Sequence, residues 1–126
     1  MRFLLDTHVV LWELAENQAV GAKARAAMAH ADELAFSVIS FVEVGIKSAT
    51  GKLTVPPDFR ERVERDGLRT LGLTPEHGLA LGRLPLHHRD PFDRLLVVQA
   101  ISEGLTLVTA DAHLAAYDVP VLDALV

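Results

Sequence analysis

Short apolar runs alternate with stretches of helical spacing along the whole chain. Residues 3–5 (Phe-Leu-Leu) form a run short enough for a buried strand, and residues 8–16 follow with apolar positions at helical intervals. An Ala-rich segment, 22–31, predicts a second helix, 34–38 a second strand, and 41–49 a third helix ending near Gly51. Residues 59–65 read as helical and 69–73 as extended. Thr74-Pro75-Glu76 has the form of an N-cap followed by proline in the first turn. Residues 91–103 give the clearest helix, stopped by Gly104; then come a strand at 105–108, a short helix at 113–117 and a last strand at 119–122. Strands alternating with helices predict an α/β fold, a mainly parallel central sheet flanked by helices. Strand order is not encoded in such a pattern. Pro56-Pro57 reads as a loop inside one domain spanning 1–126, with no repeat or linker.

Four acids stand out against this frame. Asp6 follows the first strand and Asp111 the strand at 105–108; Glu43 and Asp93 fall in the first turns of the predicted helices after the second strand and at 91–103. In a parallel α/β sheet, strand ends and helix starts share one edge, and open sheets of this kind bind ligands there. Two explanations compete. Helix starts attract Asp and Glu through free N–H groups and the macrodipole. Ser40-Phe41-Val42-Glu43 has capping-box form, and Asp90-Pro91-Phe92-Asp93 reads as a structural N-cap, proline and first-turn acid. Alternatively, the four converge; adjacent carboxylates then repel, and a divalent cation offsets the repulsion. Oxygen donors without a single Cys point to Mg²⁺ or Mn²⁺. Such a site suits hydrolysis of a phosphodiester, in which the cation makes water a better nucleophile and stabilises charge on the phosphate oxygens.

Composition narrows the field. Half of the 126 residues are apolar and 23% are charged, which fits a packed fold. Twelve basic against seventeen acidic residues leave a net charge of −5, which argues against a purely electrostatic nucleic-acid coat. The absence of Cys removes disulfides, thiolate zinc sites and cysteine nucleophiles. No apolar run reaches the ~18 residues of a spanning helix, and Asp6 interrupts the opening apolar run, so no membrane association and a cytoplasmic location are expected.

The matching segments resemble the PIN-domain nucleases, and within them the VapC-type toxins of bacterial toxin–antitoxin pairs. They are Phe3-Leu4-Leu5-Asp6-Thr7-His8 with Leu11-Trp12; residues 37–43 with Ile46-Lys47; residues 84–96 continuing to Gln99-Ala100; and Leu107-Val108-Thr109-Ala110-Asp111. They lie in order from end to end. The family's acids fall on Asp6, Glu43, Asp93 and Asp111, the quartet selected by the sheet-edge argument. The resemblance implies a PIN-like α/β/α sandwich and magnesium-dependent endoribonuclease activity leaving a 5′-phosphate and a 3′-hydroxyl. It also implies RNA as substrate, homodimerisation, and inhibition by a small cognate VapB-like antitoxin. Where many relatives carry a further acid two residues beyond the Asp111 match, this chain has His113, with no role, a substrate contact or an outer-water contact as its options.

The remaining polar residues carry paired readings. Thr7 and Thr109 are helix caps or hydroxyls that hold a carboxylate or a bound water. Lys47 lies one turn after Glu43, an i,i+4 partner or a phosphate guide. Arg83, His87, His88, Arg89 and Arg94 form the one local basic cluster, where RNA-backbone contacts are expected. Adjacent His87 and His88 diverge and lack a third ligand at motif spacing, which disfavours zinc. Trp12 reads as core or dimer surface. A signalling receiver domain shares the length and an acidic pocket, but wants an acidic pair after the first strand and a lysine after a late one; Asp6 stands alone and residues 105–111 contain no Lys. A catalytically silent PIN-like RNA-binding module is the third reading.

Overall fold

The computed structural model describes residues 1–16 and 18–126. Five strands form one sheet: β1 (Arg2–Leu5), β2 (Glu33–Ser37), β3 (Leu68–Leu71), β4 (Thr106–Thr109) and β5 (Val121–Asp123). Every neighbouring pair is parallel, in the order β3-β2-β1-β4-β5. The helices are α1 (Thr7–Leu14), α2 (Ala22–Ala29), α3 (Val38–Ala49), α4 (Phe59–Arg65), α5 (Pro75–Ala80) and α6 (Pro91–Glu103), with 3-10 turns at Leu81–Arg83 and Ala112–Ala116. The chain winds outward from β1 to β3, then returns to place β4 on the other side of β1. The winding direction therefore reverses between β1 and β4, and the strand ends there frame a crevice.

The expected α/β sandwich is observed, and the strands show why. Side chains alternate across a strand, and in β1 both faces are apolar. Phe3 and Leu5 enter a core with Val9, Val10, Phe36, Phe59, Val63 and Val108, whereas Leu4 points to the opposite face with Ala35, Leu71, Leu96, Val97 and Leu107. A sheet covered on both sides needs apolar residues at successive positions, which is the run seen in the sequence. None of the described helices is long and apolar enough to cross a membrane.

Some boundaries differ from the sequence expectation. The second strand ends at Ser37, and α3 begins at Val38, three residues earlier than expected. The N-cap is Ser37, whose hydroxyl accepts from the Ile39 N–H (3.0 Å), not Ser40. Glu43 therefore lies in the second turn of α3, and its expected capping-box role is replaced by burial. The segment at 113–117 forms a 3-10 turn, and the last strand is shifted to Val121–Asp123. Three other expectations hold. Thr74 and Pro75 open α5 with a capping box completed by His77; Asp90 caps α6; and Gly104 ends α6 at φ 67°, a left-handed conformation that glycine adopts without steric cost.

Candidate functional site

Asp6, Glu43, Asp93 and Asp111 all line one cleft of about 310 Å³ at the strand-end edge, together with His8, Trp12, Lys47, Asp90 and Ala110. Asp6 is the residue after β1. Its backbone N–H donates to the Val108 carbonyl of β4 (2.9 Å), so the β1–β4 pairing itself places this acid over the reversal point. The Asp6 side chain does not cap α1. It is 7% exposed and its Oδ2 accepts from the Thr109 hydroxyl (2.7 Å), which in turn accepts from the Asp111 N–H (3.1 Å). One β4 threonine thus ties two of the acids together.

Phe41 and Val44 turn one face of α3 to the core, and Phe41 meets Phe36 and Phe59 edge to face. The adjacent face carries Ser40, Glu43 and Lys47, at three- and four-residue spacing. Glu43 is 4% exposed. Its Oε1 accepts from the Thr7 hydroxyl (2.7 Å) and its Oε2 pairs with the Lys47 ammonium (2.7 Å). Thr7 has only one proton to donate, so it accepts from the Ser40 hydroxyl, also 2.7 Å away. The i,i+4 reading of Lys47 is borne out, and its hydrogen bond to Glu43 holds the ammonium pKa above its ordinary value.

Asp93 occupies the first turn of α6. Asp90 caps that helix, accepting from the Phe92 N–H (2.9 Å) and the Asp93 N–H (3.4 Å), as its position before proline suggests. Burial, then the negative charges of Asp6, Asp90 and Glu43, push the Asp93 carboxyl up to about 7, against the opposing effect of His88. Asp6 is raised as well, first by burial, with Glu43 adding and Thr109 and His8 opposing. Asp111 goes the other way. Burial acts to raise it but is outweighed by hydrogen bonds from the His113 N–H (2.9 Å), the His113 ring and the His88 ring. Asp111 also caps the 3-10 turn through that His113 N–H, so here capping and cleft position coincide.

The donor set fits a hard divalent cation. Five carboxylates line one cleft, of which Asp90 is engaged in capping α6; Asp6 and Asp93 have raised pKa values, and Lys47 is the single ammonium among the cleft residues. Among the described residues, His88, Asp93 and Asp111 bring potential ligand atoms all within 4.8 Å of one another. Asp6 and Glu43 share the cleft but lie outside that grouping, engaged by Thr109, Thr7 and Lys47.

Members of the basic cluster separate. Arg94 turns back to the carbonyls of Leu84 (2.9 Å) and Leu81 (3.5 Å), bracing the loop before α6, and Arg89 is exposed beside the α6 start. His87 packs edge to face on Tyr117, 5.0 Å between centroids, while His88 reaches Asp111, so the two rings do diverge. The His113 side chain is 83% exposed on the outer side of Asp111. Sequence reasoning missed the participation of His88 in the acidic cluster and of Ser40 in the Thr7–Glu43 network. Its only signals were the position of His88 two residues before the Asp90 cap and of Ser40 one turn before Glu43.

A family model described as PIN domain matches residues 3–120. Ribonuclease VapC22 of Mycobacterium tuberculosis is 36% identical over 120 residues, covering 93% of this chain and 92% of that protein. Two solved structures share the fold. VapBC2 from Rickettsia felis, bound to a DNA fragment from its promoter, has a TM-score of 0.74 at 16% identity, with 98% of each chain covered. VapBC-1 from nontypeable Haemophilus influenzae has a TM-score of 0.68 at 19% identity, again over 98% of each chain. With its sheet reversal, its acidic edge and a match running through nearly every element, this chain belongs to the PIN-domain family.

Proposed function

We propose that this chain is a Mg²⁺- or Mn²⁺-dependent endoribonuclease, a single cytoplasmic domain over residues 1–126 that acts as the toxin of a VapBC-type pair. The observation that carries the reading is the convergence of Asp6, Glu43, Asp93 and Asp111 on one cleft whose lining offers a single ammonium, Lys47. Identity to a protein named as a ribonuclease supports the substrate class.

Asp6, Glu43, Asp93 and Asp111 hold the cation. When bound, a divalent ion supplies Lewis acidity, strengthening water as a nucleophile and stabilising charge on the scissile phosphate. The chain's own groups orient this arrangement. Thr109 holds Asp6, Thr7 holds one Glu43 oxygen, and Lys47 neutralises the other. The Lys47 ammonium is about one-third exposed at the cleft and, with exposed Arg89, guides the RNA backbone. His113 stands where it meets substrate beyond Asp111, and Arg94 acts indirectly through the loop it braces. A VapB-like antitoxin and a second copy of the chain are the proposed protein partners. The resemblance to VapC toxins supports both, and the toxin–antitoxin structures that share the fold support the antitoxin.

The test is incubation of purified, partner-free protein with total RNA in Mg²⁺, in Mn²⁺ and in chelator, beside Asp6→Asn. Cleavage only with metal and only by the unsubstituted chain is expected. Binding of RNA without cleavage in any metal would favour the silent RNA-binding module instead.

A further inference from the structure

His88 lies in the loop leading into α6, and its environment fixes more than its position. The His88 N–H (2.9 Å) and the His87 N–H (3.2 Å) both donate to the hydroxyl of buried Tyr117. The ring is gripped from its other side: Nδ1 accepts from the Asp90 backbone N–H at 3.1 Å. Nε2 faces the cleft acids, 3.0 Å from Asp111 Oδ2 and 3.5 Å from Asp93 Oδ2.

A ring nitrogen that accepts an N–H presents a lone pair and carries no proton. The neutral ring therefore holds its proton on Nε2, where it donates to Asp111. Ligation of a metal through Nε2 needs the opposite tautomer, with the proton on Nδ1. That tautomer would set two N–H groups against each other across the 3.1 Å contact to Asp90. The spacing of His88, Asp93 and Asp111 resembles a mixed nitrogen–oxygen ligand set, but the backbone of Asp90 selects the wrong tautomer for it.

We propose that His88 is a positioning residue, a tautomer-locked Nε2–H donor that fixes Asp111 and faces Asp93 without ligating the cation. Asp111 is then held at both oxygens, Oδ2 by His88 and Oδ1 by the His113 N–H (2.9 Å) and ring (3.0 Å). The carboxylate plane is set before any ion arrives, and the ion meets oxygen donors alone, which suits Mg²⁺ and Mn²⁺. This inference rests on the metal site proposed above, but the tautomer is measurable without metal and without activity.

The experiment is long-range ¹H–¹⁵N correlation of the full chain labelled at histidine nitrogens, at a pH where the ring is neutral, with His88 assigned by its loss in His88→Gln. An unprotonated Nδ1 and a protonated Nε2 are expected in metal-free protein and again with saturating Mg²⁺. A proton on Nδ1 in the metal-free chain, or loss of the Nε2 proton on Mg²⁺ addition, would overturn the proposal. If Mg²⁺ moves no resonance at all, the metal reading fails, while the metal-free spectrum still decides the tautomer. Calorimetric Mn²⁺ titration adds a functional arm. His88→Leu is expected to weaken binding about tenfold or more, and His88→Gln, whose amide still donates, to restore most of it. Equal affinity for all three proteins, or no rescue by Gln, would count against the positioning role.

Discussion

The two edges of the sheet treat carboxylates in opposite ways. At the strand starts, Asp32 pairs with the N-terminal ammonium of Met1 (2.6 Å), and Glu33 of β2 is held between Arg2 (2.7 Å) and Arg69. Both acids have lowered pKa values, Asp32 through its hydrogen bond to the terminal ammonium and Glu33 through those from Arg2 and Arg69. At the strand ends, Asp6 and Asp93 are raised, and the acids outnumber the cations that face them. The same side-chain types thus close one edge with matched charge and leave the other short of positive charge. The unmatched edge sits where the sheet reverses direction, which is where a fold of this kind receives ligands. Acid count alone therefore locates little; the balance of each acid against its neighbours locates the site.

The contrast predicts effects in descending order. Asp93→Asn and Asp6→Asn should each reduce metal-dependent RNA cleavage by a factor on the order of 10³ or more, since Lewis-acid stabilisation is worth several kcal/mol. Removing a repelled charge should leave the metal-free Asp93→Asn chain melting no lower than the parent. RNA cleavage assays paired with thermal melts would check both halves, and an active Asp93→Asn protein would remove Asp93 from the metal site.

Thr109→Val comes next. It strips Asp6 of its hydroxyl donor and Asp111 of its N–H acceptor. Loss of partners that orient ligands typically costs about 10- to 100-fold in metal affinity or activity. Calorimetry with Mn²⁺ on the folded variant measures it.

The pH response should differ in sign between the edges. Asp93 has a folded pKa of about 7 against an ordinary 3.8, so between those values the folded state keeps a proton that the unfolded chain has released. Its contribution to metal-free stability is therefore present at the acid end of that window and is lost as pH rises through about 7. Mn²⁺ needs the ionised carboxylate, so its affinity should climb over the same window and level off above it. Glu33 and Asp32 are lowered, so their support is present at neutral pH and is lost only as pH falls below the ordinary carboxylate range. Urea midpoints against pH, with and without Mn²⁺, would show the upper window vanish in Asp93→Asn. The smallest effect belongs to Glu33→Gln, expected to cost about 1 kcal/mol or less, to weaken further with salt, and to leave cleavage unchanged.

Much of this was legible in the chain because the relevant signals are local. Continuous apolar runs such as Phe3-Leu4-Leu5 mark doubly covered strands, and an acid directly after such a run must sit at the strand-end edge. Asp90-Pro91 and Gly104 mark the ends of α6 through backbone chemistry that acts within a few residues. The misread start of α3 has a physical cause. Ser37-Val38-Ile39-Ser40 holds two hydroxyl residues three apart, and the β-branched pair between them looks extended. The two serines are told apart by tertiary partners, the Thr7 hydroxyl for Ser40 and the Gln99 side chain for Ser37. Strand order and the His88–Asp111 contact were out of reach for a similar reason: the contact joins residues 23 positions apart, and periodicity carries no such long-range pairing.

Gln99 bears no charge and is fully buried, yet it helps set the geometry of the charges. Its side-chain oxygen accepts from the Ser37 hydroxyl that caps α3, and its amide nitrogen donates to the Gly72 carbonyl just after β3 (3.1 Å). α3 carries Glu43 and α6 carries both Asp93 and Gln99, so one neutral amide acts as the rivet between two limbs of a charged pincer. Drift or selection at this silent interior position would retune the grip of the jaws without touching either tip.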